Sequence, residues 1–212
     1  DAKHTPQSLG WLIKAAELSL PVAQRELGFV HTTGDGVPKD EKKAMEWYMA
    51  AAQGGDVPSQ MAISRRFELG QGVPKDLRSA ASWMQRAAAQ EDSMAQYWMG
   101  WMYAAGWGVE KNDEEALKWY LRSAEQGYPK AMKDVAVAYG AGLGTVKDEE
   151  KAVEWYEKAA KRGSAIAQYY LGLRYKNGRG VSKDTQESVK WVSEAAKQGL
   201  PEAEYSLGLM YA

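Results

Sequence analysis

The sequence predicts an all-α protein built from about six repeats of a 36-residue helix-turn-helix unit. Two residue patterns recur along the 212 residues with this spacing, and no insertion interrupts them. One is a tryptophan, and the other is a pair of glycines separated by one residue. The tryptophans are Trp11, Trp47, Trp83, Trp119, Trp155 and Trp191, and the glycine pairs are Gly34/Gly36, Gly70/Gly72, Gly106/Gly108, Gly142/Gly144 and Gly178/Gly180. A fixed period of this length is typical of proteins in which each unit stacks on its neighbours.

One half of each unit is predicted to be a helix with a single apolar face. In residues 148–162, Trp155 and Tyr156 lie three and four residues after Ala152, and Ala159 lies seven residues after it, which places these residues on one side of a helix. A short polar residue precedes this stretch in five units, where its side chain can accept hydrogen bonds from the first turn. These predicted N-cap residues are Asp40, Asp76, Asn112, Asp148 and Asp184.

The other half of each unit has a second apolar stripe, because Ala167, Leu171 and Tyr175 are spaced four residues apart. A glycine such as Gly163 separates the two halves and can end a helix in the left-handed conformation. The recurring glycine pairs lack the third glycine and the preceding strand of a dinucleotide-binding loop, and they lack the Gly-Lys-Ser/Thr of a P-loop. We therefore interpret them as turn residues.

Composition excludes several classes of function. Lys plus Arg number 27 and Asp plus Glu 28, so the chain has no excess of positive charge and we expect no nucleic-acid partner. Cysteine is absent, which excludes disulfides, thiolate metal sites and a cysteine nucleophile. Because only His4 and His31 remain as imidazole ligands, we predict no metal site, no cofactor and no catalytic residues. No apolar run is long enough to predict a membrane span.

The whole chain resembles the Sel1-like repeat family, relatives of the tetratricopeptide repeat. The resemblance is carried by Ala167, Leu171, Gly172, Tyr175, Gly178, Gly180, Val181, Lys183, Asp184, Trp191, Ala195, Ala196 and Gly199. It implies a right-handed α/α superhelix, or solenoid, with a concave inner face, and a single domain over residues 1–212. The expected units are 1–20 (partial), 21–56, 57–92, 93–128, 129–164, 165–200 and 201–212 (partial). It also implies a role as an adaptor or scaffold, in bacterial signalling or host interaction or in eukaryotic membrane-protein quality control.

Two predictions concern the aromatic residues. The six repeating tryptophans are expected to be core residues packed between neighbouring hairpins rather than a ligand cage. Trp107, which lies between two glycines, is expected to be exposed.

By the same resemblance, a protein or peptide partner would bind at variable positions of the helices that contain the Leu-Gly pair. The predicted binding residues on this concave face are Arg25, Phe29, Met61, Arg65, Met94, Tyr97, Trp101, Lys133, Tyr169 and Tyr205. Aromatic side chains, methionine and arginine are enriched at interaction surfaces. The alternative is that Tyr97, Trp98 and Trp101 only fill a wide gap between repeats.

The leading hypothesis is therefore a non-enzymatic, bacterial scaffold that binds a protein or peptide. The alternatives are a module that binds glycans or peptidoglycan fragments through Tyr97 and Trp101, and a β-lactam or peptidoglycan hydrolase. The hydrolase lacks support because the cysteines of such relatives and a Ser-x-x-Lys motif are both absent. A periplasmic or secreted location is favoured over a cytoplasmic one. The C-terminal end, where no polar capping helix follows Tyr211, is expected either to continue in a longer native protein or to self-associate.

Overall fold

In a computed structural model, which describes residues 4–211, the chain forms twelve α-helices and no β-strand within that range. The predicted all-α fold of helix-turn-helix repeats is confirmed. The helices are α1 (Pro6–Glu17), α2 (Pro21–Thr33), α3 (Glu41–Gln53), α4 (Val57–Leu69), α5 (Leu77–Ala88), α6 (Ser93–Ala105), α7 (Asp113–Glu125), α8 (Pro129–Ala141), α9 (Glu149–Lys161), α10 (Ala165–Asn177), α11 (Thr185–Lys197) and α12 (Pro201–Tyr211).

The helices belong to two compact units, Asp1–Lys111 and Asn112–Ala212. The first contains α1 to α6 and the second α7 to α12, and within each unit every helix packs against the next helix along the chain. The most extensive contacts join an even-numbered helix to the odd-numbered helix that follows it. The single domain predicted over residues 1–212 stays a prediction.

Polar side chains begin the odd-numbered helices, as the sequence predicts. The Asp40 carboxylate accepts hydrogen bonds of 3.0 Å from the backbone N–H groups of Lys42 and Lys43. Asp148 accepts one of 2.9 Å from Lys151. Asp76, Asn112 and Asp184 act in the same way at α5, α7 and α11. These bonds satisfy N–H groups that a helix leaves free in its first turn.

The two glycines of each recurring pair have different structural roles. The first, such as Gly178, ends an even-numbered helix in the left-handed conformation. The second has a positive φ and also lies against the backbone of the preceding repeat. A Cβ atom on Gly180 would lie 2.0 Å from the carbonyl oxygen of Glu149, and one on Gly108 would lie 2.0 Å from that of Leu77. No side chain fits there, so these glycines are structural.

Small side chains and buried glutamines hold neighbouring helices together. Alanines on the inner face of the odd-numbered helices are almost fully buried; they include Ala44, Ala80, Ala116, Ala152, Ala87, Ala159 and Ala195. Gln60 donates a hydrogen bond of 3.2 Å to the carbonyl oxygen of Ala52 at the end of α3, and it accepts one of 2.9 Å from Gln90. Gln168 repeats both contacts with Ala160 and Gln198. The carbonyl groups at the ends of α3 and α9 are thereby paired.

The prediction that the repeating tryptophans are core residues is wrong in part. Trp47 and Trp83 pack against the apolar cluster of the preceding hairpin, but they are only half-buried. The next residue in the chain is the buried one in five repeats: Tyr48, Met84, Tyr120, Tyr156 and Val192. A cation lies over the outer face of several tryptophans, as with Lys158 at 4.1 Å from the ring of Trp155. The tryptophans therefore cover the edge of the core. One face of the ring lies on the apolar cluster, and the other faces charged side chains.

Substitution of the second glycine is expected to destabilise the protein through a clash with the backbone. Gly180→Ala should cost roughly 3 kcal/mol or more, because positive φ and a blocked Cβ position add. Gly163→Ala is the matched control: it also has a positive φ, at 84°, but nothing lies within 4 Å of the added atom. The control should cost only about 1 to 2 kcal/mol. Urea unfolding followed by circular dichroism measures both, and equal losses would contradict the role given to the close approach.

Candidate functional site

The first unit contains an apolar cavity of about 520 Å³ between α4, α5, α6 and the turn that follows α6. This volume is in the range of about 300 to 1,000 Å³ that is usual for ligand sites. The cavity is lined by Met61, Ser64, Arg65, Glu68, Met84, Trp98, Trp101, Met102 and Trp107. We call this site the tryptophan cavity.

Three tryptophans form the wall of the tryptophan cavity. The ring centroid of Trp101 lies 5.9 Å from that of Trp98, edge to face, and 5.9 Å from that of Trp107. Tyr97 continues this row, with its ring 5.4 Å from that of Trp98. Edge-to-face and tilted contacts of this kind are favourable for aromatic pairs. The wall is therefore held in place by contacts between its own rings.

The polar side chains of the cavity are already engaged within the protein. Ser64 Oγ donates a hydrogen bond of 2.8 Å to the carbonyl oxygen of Ala80, and Arg65 Nη1 lies 2.6 Å from Glu68 Oε2. The pairing of Arg65 with Glu68 places their charges at the same side of α4. The interior is thus suited to apolar groups.

Trp107 is half-buried, so the prediction that it is exposed is wrong. Its ring packs against Trp101, and Lys75 Nζ lies 5.9 Å from the ring centroid. The indole N–H is buried, and it has no hydrogen-bond acceptor in the described part of the chain. A buried donor without an acceptor costs about 1 to 3 kcal/mol. Packing alone therefore does not explain a tryptophan at this position.

The second unit has a cavity of about 410 Å³ at the equivalent place, two repeats further along the chain. Tyr170, Leu173 and Arg179 stand where the first unit has its three tryptophans. The lining residues are Val137, Gly140, Ala141, Tyr156, Tyr170, Leu173, Arg174, Asn177 and Arg179. One position of the repeat thus forms a tryptophan-lined cavity in the first unit and a cavity with two arginines in the second.

Both arginines of the second cavity form ion pairs within the protein. Arg174 is paired with Glu149, whose carboxylate also lies 3.0 Å from Arg179 and 2.9 Å from Lys147. Burial favours the neutral form of Glu149, but hydrogen bonds from Lys147, Arg179 and Arg174 and the positive charge of Arg174 outweigh it and lower the pKa to about 2. The Arg174 guanidinium lies 5.6 Å from the ring of Tyr156, where burial raises the pKa of the phenol. This cluster is a structural network.

The structure places three of the ten predicted binding residues together in the tryptophan cavity: Met61, Arg65 and Trp101. Tyr97 packs beside it, half-buried. The Phe29 side chain is 47% exposed on α2, and Met94 is 44% exposed on α6.

The remaining predicted binding residues are separate from this cavity, and three of them form contacts within the chain. Arg25 Nη1 lies 2.6 Å from Asp56, the N-cap residue of α4. In the second unit, Lys133 pairs with Asp134, and the Tyr169 hydroxyl lies 3.2 Å from Ser206 Oγ. The Tyr205 side chain is 71% exposed on α12.

Sequence reasoning did not assign Met84, Trp98, Met102 and Trp107 to one site. Met84 lies on an odd-numbered helix, whereas the predicted surface was restricted to the even-numbered ones. A signal was present, because tryptophan occurs at positions 98, 101 and 107 and at no equivalent position of another repeat. Their convergence depends on how α6 and the following turn pack against α4 and α5.

Between residues 4 and 211, no group of three or more His, Cys, Asp or Glu side chains is arranged to hold a metal ion. None of the helices in that range is both long enough and apolar enough to span a bilayer. His4 Nδ1 lies 2.8 Å from Asp35 Oδ2, which fixes the imidazole against the turn after α2.

A family model described as the Sel1 repeat matches nearly the whole chain. The matched segments are residues 5–20, 21–56, 57–92, 93–128, 129–164 and 165–200.

Solved structures similar to this chain include other bacterial repeat proteins. A Sel1 repeat protein from Oxalobacter formigenes is 33% identical with a TM-score of 0.90, over 97% of this chain and 84% of that one. A protective antigen of uropathogenic Escherichia coli displaying an SLR fold is 32% identical with a TM-score of 0.91, over 96% of this chain. This chain spans 44% of the length of that antigen. A Sel1 repeat protein from Klebsiella pneumoniae, 16% identical with a TM-score of 0.53 over 95% of this chain and 98% of that one, shares the fold.

The ion pairs of Glu149 should make stability depend on pH between about 4.5 and 2. Because the pKa falls from 4.5 to about 2 on folding, the stabilisation is complete above pH 4.5 and is lost as the pH falls toward 2. Glu149→Gln should therefore lower the urea midpoint at pH 7 and approach the wild type near pH 2. Glu150→Gln, at an exposed position of the same turn, is the control. A difference that stays constant over this pH range would argue against the assignment.

Proposed function

Because the chain belongs to the Sel1-repeat family, whose repeats mediate protein-protein interactions, we propose that it binds a protein partner through the tryptophan cavity of its first unit. The observation that carries this proposal is the convergence of Trp98, Trp101 and Trp107 on a cavity of about 520 Å³. Large apolar cavities edged by a few polar groups are the usual places for binding.

The chemistry of the lining favours an apolar side chain as the bound group. Methionine and tryptophan provide most of the wall, and methionine adapts its shape to different occupants. Arg65 and Glu68 lie at the same site, where they can exchange their mutual ion pair for contacts with polar groups of a bound segment. We therefore infer that a segment of the partner inserts an aromatic, leucine or methionine side chain.

A glycan is a less suitable occupant of this cavity than an apolar side chain. Sugar hydroxyls need several hydrogen-bond partners, but Ser64 is bonded to a backbone carbonyl and the wall is formed mainly by methionine and tryptophan side chains. No observation favours the glycan-binding or hydrolase alternatives.

The proposed role is that of a scaffold without catalytic chemistry of its own. Two variable positions of the even-numbered helices in the first unit, Phe29 and Met94, are exposed and add to the area available for contact. Repeat proteins usually bind through such variable positions, because the remaining positions maintain the stack.

Peptides selected from a random display library on the wild-type chain should carry an apolar anchor residue. Trp101→Ala should weaken their binding roughly thirtyfold or more, as expected when a central aromatic residue of an interface is removed. The matched control is Leu173→Ala, which alters the equivalent position of the second cavity. Fluorescence polarisation with labelled peptides measures both affinities after equal helical content is verified.

Two outcomes would contradict this proposal. One is that Trp101→Ala binds the selected peptides as tightly as the wild type does. The other is that no peptide is selected while oligomers of N-acetylglucosamine bind and lose affinity in Trp101→Ala, which would favour the glycan alternative.

A further inference from the structure

The residue between the two glycines of a recurring pair is different in each of the five turns, and in two of them it lines a cavity. The five residues are Asp35, Gln71, Trp107, Leu143 and Arg179. Trp107 belongs to the wall of the tryptophan cavity, and Arg179 belongs to the wall of the second cavity. The glycines on either side hold the backbone of the turn at positive φ. This one side chain can therefore change the chemistry of a cavity while the turn stays the same.

The ion pair beside the second cavity does not depend on Arg179, as a comparison with the first unit shows. There, Glu41 lies 2.7 Å from Arg66 and 3.0 Å from Lys39. The position of Arg179 is occupied by Gln71, which carries no charge. The first unit thus keeps its buried arginine paired with two cations around the glutamate and no third one.

In the second unit, the positive charges around Glu149 exceed its single negative charge. Arg174 pairs with one carboxylate oxygen of Glu149, and Lys147 and Arg179 share the other at 2.9 and 3.0 Å. Arg174 and Lys147 correspond to the arginine and the lysine of the first unit. The additional positive charge at this cavity therefore comes from Arg179.

Most of the hydrogen-bonding capacity of Arg179 is available to a ligand. Its side chain is 56% exposed, and within the part of the chain that the structure describes it donates one hydrogen bond, from Nη2 to Glu149. A guanidinium has five N–H donors in a planar arrangement that suits a carboxylate. Arg174, by contrast, is largely buried and is held in the internal pair. A second carboxylate can thus bind Arg179 without separating Arg174 from Glu149.

The rest of the second cavity is mostly apolar. Two stacked tyrosine rings, with centroids 5.7 Å apart, form part of its wall. The apolar and aromatic lining residues are Val137, Ala141, Tyr156, Tyr170 and Leu173. The volume of about 410 Å³ is within the range that is usual for ligand sites. The group that matches this lining has an apolar body and one negative charge.

We propose that the second cavity binds a carboxylate attached to an apolar group, and that Arg179 is the residue that recognises the charge. The apolar group lies against Leu173 and Tyr170. In a protein partner, this chemistry is provided by an acidic side chain next to apolar residues or by the C-terminal carboxylate of a chain that ends in an apolar residue. The site does not involve the tryptophan cavity, so its failure and that of the proposed function are distinguishable.

Titration of the whole chain with sodium hexanoate, followed by ¹H–¹⁵N NMR, tests the site. The side-chain Nε–H signal of Arg179 and the backbone signals of residues 170–180 are expected to shift. Hexanamide has a similar apolar body without the charge, and it should bind at least roughly tenfold more weakly, because a charge-assisted hydrogen bond is lost. Inorganic phosphate, which has no apolar group, should also bind more weakly. Added salt should weaken the binding of hexanoate.

Arg179→Gln separates recognition from stability, since glutamine is the residue at the equivalent position of the first unit. This variant should unfold at nearly the same temperature as the wild type, because the ion pair it removes is exposed. Its affinity for hexanoate should fall at least roughly tenfold. Arg122→Gln is the matched control: it removes the same charge from an exposed position of α7, outside the cavity, and should bind hexanoate like the wild type.

Two leucine-containing peptides distinguish the sources of the carboxylate. One has a free C-terminal carboxylate and no acidic side chain, and the other has an amidated C terminus and a glutamate next to the leucine. Tighter binding of the first supports recognition of a chain end, and tighter binding of the second supports recognition of an internal acidic segment.

Four outcomes would overturn the proposal. They are equal affinities for hexanoate and hexanamide, equal affinities of the wild type and Arg179→Gln, tighter binding of phosphate than of hexanoate, and NMR shifts confined to the indole signals of the tryptophan cavity.

Discussion

The close approach of one glycine to the backbone of the preceding repeat sets the geometry on which the other contacts depend. Gly72, Gly108, Gly144 and Gly180 each place their Cα so near a carbonyl group that a Cβ atom would lie within about 2 Å of its oxygen. This carbonyl belongs to the first residue of an odd-numbered helix, 31 residues earlier in the chain. An insertion in a repeat would shift this glycine out of register with the repeating tryptophan and the N-cap residue. The contact therefore requires the constant period of 36 residues.

A fixed backbone arrangement leaves the side chains at a few positions free to differ between repeats. Arg66 is buried in the first unit, where it pairs with Glu41 at 2.7 Å and lies over Tyr48. Arg174 forms the same contacts with Glu149 and Tyr156 in the second unit. The same arrangement of arginine, glutamate and tyrosine thus occurs twice in the chain, once in each unit.

The tryptophan cavity occurs where this set is replaced by apolar residues. Met102, Leu77 and Met84 stand at the positions of the arginine, the glutamate and the tyrosine. Without the charges, these positions can border an apolar cavity, because no buried ion there needs a partner. The same repeat geometry therefore supports a structural ion pair in one place and a candidate binding site in another.

The sequence by itself determined the period, the helices, the N-caps of α3, α5, α7, α9 and α11, and the turns, because these depend on residues close together in the chain. It also indicated a group of aromatic residues within residues 93–128. One of them, Trp101, lies in the cavity together with Met61 and Arg65. It did not determine which aromatic rings are buried: five of the six repeating tryptophans are half-buried, Trp11 is exposed, and Trp107 is packed rather than exposed. Burial and the convergence of Met84, Trp98 and Trp107 depend on contacts between helices, and only the tertiary structure decided them. For the same reason, only the structure showed that Arg25 and Tyr169 are engaged within the chain, since their partners, Asp56 and Ser206, lie about one repeat away.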